Sequence, residues 1–120
     1  MKLTKTFNVD VYSCKVILIV TDNMHEEERN IYAKNNEEIE EYILSDGLTI
    51  NFEHDKYYIV FKDTAITHNL ISHEIYHLVC SITDYRGIED EESRAWLAGY
   101  LAEIIYSYLD KKDITIKNGF

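Results

Sequence analysis

Between Ile71 and Ile82 the chain reads as a helix with two unlike sides, and nothing else in its 120 residues constrains the fold as tightly. At roughly 100° per residue, Ile71, Ile75, Leu78 and Ile82 fall within about 60° of one another. His73 and His77 fall on the opposite side. One side of such a helix belongs in a core and the other in a cleft or in solvent. The histidines belong to His73-Glu74-Ile75-Tyr76-His77, an H-E-x-x-H motif. Histidines at i and i+4 stand one turn apart on one face. Their ring nitrogens can converge on a single zinc ion at roughly 2.0–2.1 Å each. Glu74 then lies beside the metal and can hydrogen-bond a water there without being a ligand, which makes it the candidate general base. The plainer alternative is a surface helix with two unrelated histidines. The uncharged neighbours Ile71, Ile75, Tyr76, Leu78 and Val79 weigh against it.

The rest of the composition narrows the partners. The formal net charge is -10, and no Lys/Arg stripe offsets it, so a nucleic acid is excluded as a direct partner and an anionic membrane is disfavoured. The two cysteines, Cys14 and Cys80, are far apart and form no Cys-x-x-Cys pair. With no signal peptide read at the N-terminus, free thiols in the cytoplasm are the expectation. The longest apolar run, Val16 to Val20, has the length of a strand and not of a membrane span.

The order of elements reads as α+β within a single domain over 1–120. Phe7, Val9 and Val11 alternate with polar neighbours as a half-buried strand does, and 16–20 reads as a more buried strand. The stretch 24–34 is ambiguous, and its Glu26-Glu27-Glu28 run reads as a solvated face or loop. Asn36 is the expected cap of a short helix over 37–45, with Gly47 as its stop. Two strands over 48–52 and 57–61 flank a polar turn and predict a hairpin. Helices follow over 66–83 and 90–109, separated by a break at 84–87. The tail 113–120 reads as a short strand or a frayed end.

The H-E-x-x-H motif followed by a helix that opens with glutamate resembles the gluzincin branch of zinc metallopeptidases. Glu92 with Ala95-Trp96-Leu97-Ala98-Gly99-Tyr100 is similar to the Glu and Ala-aromatic-Leu-x-Gly-aromatic run of its smallest members, the minigluzincins and phage-associated metallopeptidases. A looser similarity extends to ImmA/IrrE-type peptidases. The resemblance covers about residues 66–109. It implies a zincin-like fold, in which a small antiparallel or mixed sheet packs on an active-site helix and a C-terminal helix. It also implies Glu92 as third zinc ligand, with Glu91 as runner-up, and a substrate strand paired to 57–61. Cys80 and Thr83 stand where the metzincin extension needs Gly and His, and Trp96 stands where thermolysin-like enzymes carry Asp.

The small residues Ala95, Ala98, Gly99 and Ala102 predict a close approach of the last two helices. Glu103 is a weak candidate for a carboxylate behind a ligand histidine. Cys80 reads as a buried thiol, His68 as a surface or core histidine, and His25 and His54 as solvated. The expected activity is zinc-dependent hydrolysis of a peptide or protein substrate. The alternative is a non-catalytic zinc-binding or interaction module. A homo-oligomer, or a partner that completes the cleft, fits a chain of this size.

Overall fold

A computed structural model describes residues 2–43 and 45–118. The chain runs β1 (Lys2–Val9), a 3-10 turn (Asp10–Tyr12), β2 (Cys14–Thr21), α1 (Met24–Lys34), β3 (Gly47–Glu53), β4 (Lys56–Lys62), α2 (His68–Tyr85) and α3 (Glu91–Lys111). The four strands form one mixed sheet in the order β1-β2-β4-β3. β2 runs parallel to β4, and the outer pairs are antiparallel. The fold class is α+β.

The sheet is covered on both faces, which explains the unbroken apolar run in β2. Val16, Leu18 and Val20 join Tyr57, Ile59 and Phe61 of β4 under α2 and α3. Ile17 and Ile19 join Tyr58 and Val60 on the other face, where Ile31 of α1 packs. The apolar stripe of α2 is buried as its spacing requires: Ile71, Leu78 and Ile82 are fully covered, and Ile75 is nearly so. Leu97, Leu101, Ile105 and Leu109 of α3 close the same core. Thr67 caps α2 by accepting the Leu70 N–H, and Asp90 caps α3 through the Ser93 N–H. Gly87, at φ +68°, takes the left-handed conformation that the turn between these helices needs.

Several sequence expectations change. The first strand ends at Val9, and Val11 lies exposed in the following turn. The 24–34 stretch is a helix, capped by Asn23, which accepts the Glu26 N–H at 3.1 Å. Its acidic run is not wholly solvated, because Glu27 and Glu28 are buried. Glu27 Oε2, which has no well-aligned hydrogen bond, meets Lys2 Nζ at 3.0 Å.

No helix forms over 37–43 and 45. A helix there would send the Ile43 N–H to the carbonyl four residues back. Glu28 takes that N–H instead, at 3.1 and 3.2 Å from its two oxygens. Asn36, the expected cap, sits at φ +56°. Leu44, within the expected helix, and Gly119 and Phe120, in the expected tail strand, lie outside the described residues. Lys117 of the tail makes a single parallel bridge to Thr67.

Strand β4 is an interior strand, paired on both sides, so 57–61 offers no free edge to a substrate. That edge belongs to β3. The small residues of α3 do not all serve close packing either: Ala95 and Gly99 are exposed, while Ala98 and Ala102 pack against the core.

Arg86, at the C-terminal cap of α2, is a tie that sequence patterning misses. Its guanidinium donates to the carbonyls of Tyr12 (2.9 Å), Ile82 (3.0 Å) and His54 (2.6 Å), and to the Tyr57 hydroxyl (3.2 Å). Burial pushes the Tyr57 phenol up, against the pull of Arg86. His54 is correspondingly not solvated: it stacks on Tyr85 at 3.6 Å and meets the Tyr57 hydroxyl at 2.9 Å. Arg86→Ala leaves these acceptors without their donor and is expected to cost about 3 kcal/mol or more, since bonds to a charged donor contribute roughly 1.5–3 each. Urea unfolding measures it; Arg86→Lys should recover part of the loss and not all of it.

Candidate functional site

The two histidines of the motif meet. His73 Nε2 and His77 Nε2 are 3.1 Å apart on the exposed side of α2, with their rings at 77° to each other. Two zinc–nitrogen bonds of about 2.0–2.1 Å, opened to roughly 100°, span that same separation. The pair therefore fits as two of the donors of a divalent metal site, and neutral imidazole is a common zinc donor.

Glu74 is placed differently from its neighbours. It is only 5% exposed, whereas His73 and His77 lie at the surface. A buried carboxylate needs partners. Thr49 of β3 supplies one, donating its hydroxyl to Oε1 at 2.7 Å. The other oxygen, Oε2, lies 3.9 Å from His73 Nε2. One carboxylate oxygen is thus fixed to the strand while the second is directed toward the histidine pair.

Glycine makes this approach possible. A Cβ on Gly47 would stand 2.8 Å from Leu70 Cδ1 and 3.2 Å from Glu74 Cγ. The first residue of β3 consequently crosses closely over α2 at the motif. Between them lies an open cleft of about 920 Å³. Its walls come from the loop entering β3, from β3 itself, from the β4–α2 connection and from α2; His73, Glu74 and His77 all line it. No residue of α3 contributes.

Glu92 and Glu91 are exposed in the first turn of α3. Glu92 lies roughly 160° round the helix from the mean direction of Leu97, Leu101, Ile105 and Leu109, and Glu91 roughly 60°. Among the described residues, no three His, Cys, Asp or Glu side chains gather as a metal cage. The structure brings together His73, Glu74 and His77, and does not bring Glu92 or Glu91 to them.

Cys80 is half-buried beside Tyr76, on the same side of α2. The Tyr76 phenol is raised first by its hydrogen bond with the Cys80 side chain. Both cysteines are free thiols, and burial pushes that of Cys14 up. His68 bonds the Tyr106 hydroxyl at 3.0 Å, and His25 stacks on Tyr42 at 3.9 Å.

Thr49 is the functional contact that sequence reading missed. A threonine in a strand is ordinary, and only the pairing of β3 against α2 reveals its target. No protein-family model, no curated protein and no solved structure matches this chain. Among the described residues no helix is long and apolar enough to cross a membrane.

Replacing Thr49 tests the Glu74 contact directly. Thr49→Val keeps the shape and removes the donor, leaving a buried carboxylate short of one partner. The expected loss is about 1–3 kcal/mol in urea unfolding, while Thr49→Ser, which keeps the hydroxyl, should lose less than Thr49→Val. Equal losses would show that Thr49 acts through packing alone.

Proposed function

We propose that this chain is a zinc-dependent peptidase of the zincin class, similar to the small gluzincins. The observation that carries the reading is the placement of three motif side chains in one cleft: two imidazole nitrogens 3.1 Å apart, and beside them a buried carboxylate fixed by Thr49. A zinc ion held by His73 and His77, with a third protein donor for which the resemblance to small gluzincins names Glu92, would polarise a peptide carbonyl and activate a water.

The chain's own groups do the rest. Glu74 accepts the proton of the attacking water and returns it to the leaving amine. Thr49 holds the carboxylate for both transfers. The free edge of β3 pairs with an extended peptide substrate and lays its scissile bond along the cleft. A cytoplasmic setting belongs to the same reading and agrees with two free thiols.

The exposed position of Glu92 favours a second reading, a non-catalytic zinc-binding or interaction module that keeps the same core. Glu74→Gln separates the two. Under the first reading, zinc-loaded wild type cleaves an unstructured protein such as casein. The variant should be slower by roughly 10²–10⁴-fold, the range a general base contributes, with unchanged zinc content. Residual cleavage equal to wild type would assign the activity to a contaminant and leave the second reading.

A further inference from the structure

We propose that the cleft selects peptides that carry a lysine or arginine, and that Asp46 is the residue that takes the cationic head. The inference deepens the peptidase reading and rests on it.

The cleft has two unlike ends. β3 and α2 run alongside each other there, with Gly47 against Leu70, Thr49 bonded to Glu74, and Asn51 accepting the Ser81 hydroxyl at 3.3 Å. Toward Ser81 the lining is amide and hydroxyl. Toward Gly47 it is apolar, with exposed Ile43 and half-buried Leu70. Asp46 lines that apolar end and is exposed. Among the described residues its carboxylate makes no hydrogen bond or ion pair. Its backbone carbonyl, by contrast, accepts the Lys62 N–H at 2.9 Å, which ties the residue to the start of the strand. The Lys62 side chain does not line the cleft. An apolar floor that ends in an uncommitted carboxylate matches a long side chain with an apolar stem and a cationic head.

The charge of the walls points the same way. Among the described residues no lysine or arginine lines the cleft, and its carboxylates are Asp46 and Glu74. The loop leading into β3 adds Glu37, Glu38, Glu40 and Glu41, all exposed, and holds no lysine or arginine over 35–46. A cleft lined by one sign of charge draws in substrates of the other sign and repels its own. A zinc ion at the histidines would add positive charge there, but at a distance from this end. Asp46 lies three residues before Thr49, the partner of Glu74, which is about 10 Å at roughly 3.3 Å per residue. Exposed charges are largely screened beyond about 8 Å at physiological salt. The cation therefore belongs to a substrate residue within about three positions of the scissile bond.

The test uses quenched-fluorescence peptides of one neutral sequence. A single residue, within three positions on either side of the cleaved bond, is lysine, norleucine or glutamate. For zinc-loaded wild type, kcat/KM is expected to be about fivefold higher with lysine than with norleucine at one of these positions, the upper range for an exposed ion pair. Glutamate there should be slower than norleucine, and both differences should shrink in 0.5 M salt, where the screening length is about 4 Å. Asp46→Asn should bring the lysine-to-norleucine ratio to about one, and Asp46→Lys should favour glutamate. Asp110→Asn removes the same charge from the exposed outer side of α3 and should keep the wild-type ratio. Equal rates for lysine and norleucine, or a preference that persists in Asp46→Asn, overturn the proposal. If cleavage is slowed by Glu74→Gln yet shows no lysine preference, this inference alone is rejected. If no peptide is cleaved, or Glu74→Gln cleaves as wild type does, the peptidase reading falls and this inference with it.

Discussion

Helix α2 must bury its apolar stripe in the sheet before its histidines can be held in any fixed place. Ile71, Ile75, Leu78 and Ile82 do this against β4 and α3, each burial contributing about 1.5–3 kcal/mol. The stripe sets the rotation of the helix about its axis. Once that rotation is set, His73 and His77 face outward, and Glu74 is turned toward β3. The site is a consequence of the packing on the far side of the same helix.

β3 fixes the site from the other direction. As an edge strand it keeps one side free, and its first residues cross α2 at the motif. Gly47 permits that crossing because no Cβ intervenes above Leu70 and Glu74. Thr49, two residues on and therefore on the same face, reaches Glu74 with its hydroxyl. The entry to β3 is held in turn by buried Glu28 of α1, through the Ile43 N–H. A carboxylate on the far face of the sheet thus anchors the loop that walls the cleft.

Where the apolar period was strong, the fold could be read from the sequence. β2, the β3–β4 hairpin, α2 and α3 all announced themselves through spacing and turn residues. The failures share a cause. The 37–45 segment has the local features of a helix, and a long-range acceptor, Glu28, takes a backbone N–H that the helix needs. The acidic run of α1 looked solvated because nothing local shows that Lys2 and Ile43 will meet it. At the candidate site, the motif placed the two histidines and Glu74 together because all three lie within one helix. The third ligand depends on how two helices register, and a match to a family pattern carries no distance. Thr49 and Arg86 act across elements, and no window of sequence contains both partners.

The central claim is that His73 and His77 bind one metal ion. The direct measurement is zinc per chain, by elemental analysis of protein equilibrated with zinc and then exhaustively desalted, in wild type and in the His73→Ala/His77→Ala double variant. The account predicts about one zinc per wild-type chain and none in the variant, with the fold intact by circular dichroism, because both histidines are at the surface. A wild type without zinc, or a double variant that retains it, would contradict the account.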